Sequence, residues 1–229
     1  MRKSTGNMYS FIDTTYNPVK GKCAHNCSYC YMKRFPQKEI HLDEKELNQD
    51  LGTGKKIFVC SGTDLFSPEV PVEWVRKVID KVNQHKNEYF FQSKNPMRML
   101  YYIDHIPRDS IFCTTIESNY NYPEIFCKAP IIMMRYAGIK TIKEKSRRVM
   151  VTIEPIMQFD LLELSSMLIS LNPEQVNIGA DSKRHNLPEP EAWKIEKLIY
   201  NLEYKKIKIY RKDNLKRLLK LIVDRQKEI

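Results

Sequence analysis

Cys23-Ala24-His25-Asn26-Cys27-Ser28-Tyr29-Cys30 sets three cysteines at C-x3-C-x2-C spacing, with Tyr29 immediately before the last. Three thiolates this close converge on a group that binds sulfur strongly. Thiolate is a soft ligand that selects zinc, copper(I) or an iron–sulfur cluster. Closed structural zinc sites and ordinary 4Fe–4S clusters take four protein ligands. Here the run stops at three, which leaves one coordination position open to a substrate or cosubstrate. On spacing alone two other readings stand: a zinc site completed by His25 or a distant cysteine, and a disulfide.

Upstream of this loop, Met8 to Val19 reads as a strand running into a turn. Downstream, Asp43 with Glu46 three residues on signals a capped helix that Gly52 and Gly54 end. Then strand and helix alternate. Strands are predicted at Lys56–Cys60, Tyr89–Gln92, Ser110–Ile116, Arg148–Ile153, Gln175–Ile178 and Ile207–Tyr210. Helices are predicted at Val72–His85, Met97–Ile106, Ile131–Lys143, Leu161–Leu171, Glu191–Tyr204 and Asn214–Ile229. Strict alternation with short connections argues an α/β fold with a parallel sheet and helices outside it. Right-handed crossovers wind such a chain one way, into a partial barrel. The 229 residues are fewer than the roughly 250 of a full eight-unit barrel, and they fit a (β/α)6 TIM-like barrel with a C-terminal strand and helix. No repeat or linker divides the chain. One domain over 1–229 is expected, with a core of about 8–204 and a basic extension of about 205–229.

Composition bounds the rest. Forty-two per cent hydrophobic residues make the chain globular. No apolar run is long enough to cross a membrane, and the polar start Met1-Arg2-Lys3-Ser4-Thr5 has no signal-peptide character, so a cytoplasmic protein is expected. In a reducing compartment the six cysteines are free or metal-bound. Cys60 and Cys113 lie in apolar strand runs and Cys127 in an irregular segment; all three read as core, with a hydrogen-donating thiol as the alternative for Cys127, and His25 reads as a loop residue. The net charge of +10 favours a polyanionic partner. Residues 194–229 hold twelve Lys or Arg against five Asp or Glu, interleaved with Tyr200, Tyr204 and Tyr210, a pattern suited to nucleic acid or nucleotides. An amphipathic helix with Leu215, Leu218, Leu219 and Ile222 on its core face accounts for the same charges as solvated surface.

In a barrel of this kind functional side chains stand at the C-terminal ends of the strands. Each predicted end is polar or small: Ser61-Gly62-Thr63-Asp64, Ser93-Lys94, Glu117-Ser118, Glu154 and Asp181-Ser182.

Together with the cysteine loop, Tyr16-Asn17-Pro18, Ser61 to Phe66 with Pro71 and Trp74, Gln92 to Pro96, Ile153-Glu154-Pro155 and Asn177-Ile178-Gly179 resemble the radical S-adenosylmethionine (radical SAM) superfamily. Within it they are most similar to the phage-protein-like branch, distantly similar to spore photoproduct lyase. The resemblance covers about residues 8–182. It implies that Cys23, Cys27 and Cys30 ligate a 4Fe–4S cluster whose fourth iron is chelated by S-adenosylmethionine, with Tyr29 near the adenine. Ser61-Gly62-Thr63-Asp64 stands where the superfamily has Gly-Gly-Glu, and Gly62 is its closest match. Ser93, Lys94, Glu117, Ser118 and Glu154 complete the expected cofactor-binding set. The implied reaction is reductive cleavage of S-adenosylmethionine and hydrogen abstraction from a substrate by the 5′-deoxyadenosyl radical. The implied partner is an electron donor such as flavodoxin or ferredoxin. A small metabolite or peptide substrate, or a non-enzymatic zinc module on nucleic acid, are the alternatives.

Overall fold

The apolar runs do form strands, and the runs between them form helices. The computed structural model describes residues 9–219. In chain order the elements are β1 (Thr14–Tyr16), β2 (Val19–Lys20), β3 (His41–Leu42), α1 (Glu44–Leu47), β4 (Lys56–Val59), α2 (Val72–Asn83), β5 (Glu88–Gln92) and α3 (Pro96–Leu100). They continue with β6 (Ile111–Thr115), α4 (Ile132–Glu144), β7 (Arg148–Ile153), α5 (Leu161–Leu171), β8 (Gln175–Ile178), α6 (Ala192–Tyr204) and β9 (Lys208–Arg211). Seven strands make one sheet in the order β1-β4-β5-β6-β7-β8-β9. Every neighbouring pair in it is parallel. All C-terminal ends therefore emerge on one side.

Local signals explain the helices. In α2 the buried residues Val75, Val78, Ile79 and Val82 fall on one stripe at helical spacing. Asp43, Asn95 and Asp160 each accept a backbone N–H from the first turn of the following helix, as cap residues do. Among the described residues no helix is long and apolar enough to cross a membrane.

Several expected boundaries move. The first strand shrinks to Thr14–Tyr16, because Asn17-Pro18 turns the chain into a two-residue ribbon of β2 with β3. The helix expected after Asp43 is a single turn. The one expected over Met97–Ile106 stops at Leu100. Beyond it the chain closes by turns such as Tyr102 N–H to Met99 C=O (3.0 Å) and bends toward Pro107. Beyond β9 a 3-10 turn spans Asp213–Leu215, with Leu215 and Leu218 buried in the core. The rest of the expected terminal helix, from residue 220, lies outside the described residues.

The sheet curls. A flat sheet would set β4 and β9 five strand spacings apart, about 24 Å. Yet Phe58 of β4 and Tyr210 of β9 bring their rings within 6.2 and 6.4 Å of the Tyr9 ring. Phe90 of β5 meets the same ring edge-on at 5.4 Å. Tyr9 thus plugs the interior of a partial barrel. Its hydroxyl donates to Gln92 Oε1 (2.8 Å) and lies 2.7 Å from Thr152 Oγ1. Tyr210, expected on a basic surface with Tyr200 and Tyr204, is instead part of this interior cluster.

Removing the plug is expected to be costly. Tyr9→Ala should lower the unfolding free energy by about 3–5 kcal/mol, as deletion of a buried aromatic ring does. Tyr9→Phe, which strands the partners of the hydroxyl, should cost about 1–3 kcal/mol. Urea denaturation measures both.

Candidate metal and cofactor site

The loop between β2 and β3 carries the cysteines and is closed at its base by their ribbon and by Lys22 N–H to Lys38 C=O (2.9 Å). Gly21 is required there. It has φ of 102°, and a Cβ would stand 2.4 Å from the Glu39 carbonyl oxygen. Asn26, at the turn between Cys23 and Cys27, adopts φ of 45°, a conformation that asparagine tolerates. The loop leans over the strand ends and borders a cavity of about 570 Å³. Cys23, Cys27 and Cys30 all line that cavity, and all are free thiols. The sulfurs share a wall without meeting at one point: among the described residues no three His, Cys, Asp or Glu side chains are gathered closely enough to hold a metal ion.

Two buried carboxylates fix the loop. Asp64, after β4, accepts His25 Nε2 (2.9 Å), Ser93 Oγ (2.9 Å) and the backbone N–H of Lys94 (2.9 Å) on one oxygen, and the Phe66 N–H (2.9 Å) on the other. Burial pushes its carboxyl up, but His25, Ser93 and Lys94 outweigh that and hold it below the usual range. Its acceptors are therefore spent on the protein. Residue 25 is more than a loop residue: it pins the middle of the cysteine loop to the ends of β4 and β5. Its Nδ1 is buried without a hydrogen-bond partner.

Glu117, after β6, accepts the Tyr29 hydroxyl (2.6 Å) and Arg135 Nη1 (2.8 Å), and pairs with the Lys94 ammonium. Burial raises its carboxyl, and Arg135 and Lys94 bring it down to about 2. Lys94 also lies 5.3 Å from the Tyr29 ring centre. One acid and two bases leave a surplus positive charge close to Cys27, where Lys94 favours thiolate. Burial pushes the Cys23 thiol up to about 11. The Cys27 thiol is raised through its hydrogen bond with Cys127 and burial, and Cys127 is lowered by the same bond.

Tyr29, Ser61, Gly62, Thr63 and Asp64 line the cavity, as do Ser93, Lys94 and Glu154. Asn17 Oδ1 accepts the Ser61 N–H (2.7 Å) and hydroxyl (3.0 Å), and Thr63 Oγ1 donates to the Gly21 carbonyl (2.8 Å). A Cβ at Gly62 would meet only Met32 Cε, at 3.5 Å, so the glycine leaves room on the cavity side that no protein atom fills. Glu154 accepts Lys212 Nζ (2.5 Å) and Asn214 Nδ2 (2.7 Å). Two expected residues are off the cavity wall. Glu117 stands behind Lys94 and Tyr29, and Ser118 is fully buried, its hydroxyl donating to the Gln158 carbonyl (2.5 Å). Sequence reasoning missed the pairing of Arg135 with Glu117 and of Lys212 with Glu154, and it singled out Cys127 without placing it beside Cys27. Arg135 left a trace, as a lone charge closing the Ile131-Ile132-Met133-Met134 run.

The donor set fits a thiolate-bound metal group. Three free thiols face one cavity, an imidazole nitrogen among them is buried and unpaired, and Gly62 leaves space beside them.

Glu117 carries a pH signature. Its folded value of about 2 lies below the ordinary 4.5, so its stabilisation is complete above 4.5 and is lost as pH falls toward 2. Glu117→Gln should cost about 3–5 kcal/mol at neutral pH, by leaving Arg135 unpaired. It should also flatten the acid limb of stability over that window, as followed by circular dichroism.

Comparison with solved structures shows the fold of radical SAM enzymes. A spore photoproduct lyase mutant with dinucleoside spore photoproduct matches at TM-score 0.63 and 12% identity, over 86% of this chain and 75% of that one. A double mutant with bound AdoMet and dinucleoside spore photoproduct gives TM-score 0.62 and 12% identity, over the same shares. Streptococcus suis SuiB bound to precursor peptide SuiA matches at TM-score 0.63 and 8% identity, over 87% of this chain and 48% of that one. At such identities the likeness is one of fold. No curated protein matches the chain. A family model does, over residues 7–196, and by it the chain belongs to the family described as Protein of unknown function (DUF5131).

Proposed function

We propose that this chain is a radical SAM enzyme, with Cys23, Cys27 and Cys30 holding a 4Fe–4S cluster and S-adenosylmethionine bound beside it. The observation that carries this is the set of three free thiols on one cavity wall at the C-terminal strand ends of this fold. When bound, the cluster and its cosubstrate supply one-electron cleavage of the sulfonium and a 5′-deoxyadenosyl radical for hydrogen abstraction.

The chain's own residues position and shield. Asp64 and His25 hold the loop in place, and Gly62 leaves the space that the cosubstrate's methionyl end needs. Lys94, held in place by Glu117, pulls the Cys27 thiol down against its bond with Cys127 and burial, which raise it. Ser61, Thr63 and Ser93 brace the wall, their hydroxyls donating to Asn17, the Gly21 carbonyl and Asp64, and Tyr29 lines the cavity. Glu154 marks the far side. Tyr9 seals the floor against water, which a radical reaction requires. The electron comes from a donor of the flavodoxin or ferredoxin kind, in the cytoplasm.

For the substrate, the basic composition favours nucleic acid or a nucleotide. Supporting it, Tyr200 and Tyr204 on α6 are both exposed and stacked at 6.4 Å, with Lys197 4.9 Å over Tyr200. A second reading, a zinc site, draws on the unpaired His25 Nδ1 within the loop.

Anaerobic reconstitution separates the two. Iron and sulfide with 5′-deoxyadenosine release are expected. Zinc without colour would favour the second reading. Replacing any one of Cys23, Cys27 or Cys30 by Ala should abolish the cluster absorbance, and full iron loading of the triple variant would overturn the ligand assignment. Gly62→Val should keep the cluster and lose S-adenosylmethionine binding by calorimetry.

A further inference from the structure

The cavity has a second wall. Past β8 the chain runs Asp181-Ser182-Lys183-Arg184-His185, toward the far end of the strand order from the cysteine loop. The buried Asp181 carboxylate accepts the Lys183 N–H (3.0 Å), the His185 backbone N–H, and His185 Nδ1 (2.7 Å). With an acceptor-only group on Nδ1, that nitrogen carries the proton, and the ring is held by its carboxylate. Its other nitrogen, Nε2, makes no hydrogen bond among the described residues, and His185 lines the cavity.

Six Lys or Arg border the cavity (Lys22, Lys33, Arg34, Lys94, Lys183 and Lys212), against three acids, Asp64, Glu154 and Asp181. All three acids are committed to protein donors. Lys94 and Lys212 are paired to carboxylates, Lys22 to Glu39, Lys33 Nζ reaches the Asn26 carbonyl, and Arg34 lies 4.6 Å over the Phe35 ring. The Lys183 ammonium has no partner among the described residues. Ser182 Oγ accepts from Asn214 Nδ2 (2.8 Å), so its own proton remains to donate. One short loop therefore offers an ammonium, an imidazole oriented by a carboxylate, and a hydroxyl. Around them the cavity has more positive than negative charge, and a concave site of that sign concentrates anions.

We propose that the loop after β8 is a phosphate subsite, in which Lys183, His185 Nε2 and Ser182 bind a phosphate group of the substrate while Asp181 positions the imidazole. This deepens the reading of the cavity given above by naming the chemistry of its substrate. A tetrahedral phosphate has several acceptor oxygens for three donors, and bonds from charged donors to it are the strong kind. Only the imidazolium carries an N–H on both nitrogens, and that is the form in which His185 bridges Asp181 and a phosphate.

The test is calorimetry on the full-length, anaerobically reconstituted protein. The probes are inorganic phosphate, a nucleoside 5′-monophosphate, the same nucleoside without phosphate, and a short single-stranded oligonucleotide. Phosphate-bearing probes should bind at least about tenfold more tightly than the bare nucleoside, and Lys183→Gln and His185→Gln should each remove about that factor. Iron content and circular dichroism should be unchanged in both variants, because among the described residues neither side chain is hydrogen-bonded or ion-paired to the cysteine loop. If the oligonucleotide binds more tightly than the mononucleotide, with the same loss in the variants, the phosphate belongs to a nucleic acid. If the mononucleotide binds as well as the oligonucleotide, it belongs to a small metabolite. The proposal falls if the nucleoside binds as well as its monophosphate, if no phosphate probe binds, or if a Lys183→Gln/His185→Gln double variant binds like the parent. Failure of the cluster assignment would show instead in the iron content of the parent protein.

Discussion

A carboxylate largely withdrawn from water must have its lone pairs filled by the protein, and Asp64 obtains that from three stretches of chain. His25 comes from the cysteine loop, Ser93 and Lys94 from the end of β5, and Phe66 from its own turn. Burying such a charge unpaired would cost more than most single contacts return. The loop therefore cannot drift from the strand ends without breaking the set. The parallel register makes this arrangement available, since it levels the ends of β1, β4 and β5 on one side. Asp64 turns that level surface into a mount for three thiols.

Glu117 repeats the device two strands further on, after β6. Tyr29 reaches it from the cysteine loop, Lys94 from β5 and Arg135 from the first turn of α4. Arg135 also donates to the Pro130 and Thr115 carbonyls, so the segment before α4 is drawn in. That segment in turn clasps the loop, through Ser28 N–H to Phe126 C=O and Lys128 N–H to His25 C=O, both 2.7 Å. The difference between the two carboxylates is in charge. Asp64 faces an imidazole and neutral donors, while Glu117 faces two fixed cations and leaves the site positive on the side of Cys27. There Lys94 works against the bond with Cys127 and the burial that raise the Cys27 thiol.

Beneath both lies a floor that separates the site from the core. The outer faces of the strands and the inner faces of the helices form one large apolar cluster. The inside of the curl is smaller and mixed: Tyr9 is surrounded by Phe58, Phe90 and Tyr210, with its hydroxyl on Gln92 and Thr152. Asn177 Nδ2 extends the network to Thr152 Oγ1 at 3.1 Å. Polar groups inside a narrow barrel are tolerated because each finds a partner, and together they end the apolar interior where the cavity begins.

Much of this was legible in the chain itself. Alternating apolar runs and helical stripes located every strand of the main sheet; in β4 to β7 burial on both faces demands nearly continuous apolar residues, and that demand is local. The spacing of Cys23, Cys27 and Cys30, and the polar residues closing each strand, marked the site for the same reason: the residue types are dictated by chemistry at that position. What stayed hidden depends on distant partners. His25 and Asp64 are 39 residues apart, Glu117 and Arg135 meet across a turn of irregular chain, and Lys212 reaches back to Glu154. Helix α3 ended early and Tyr210 turned inward because packing outweighed weak local propensity. The sequence determined the order of elements and the identity of the donors. Tertiary structure alone decided which charges are neutralised and which remain free, since pairing energy depends on distance and burial that no local pattern encodes.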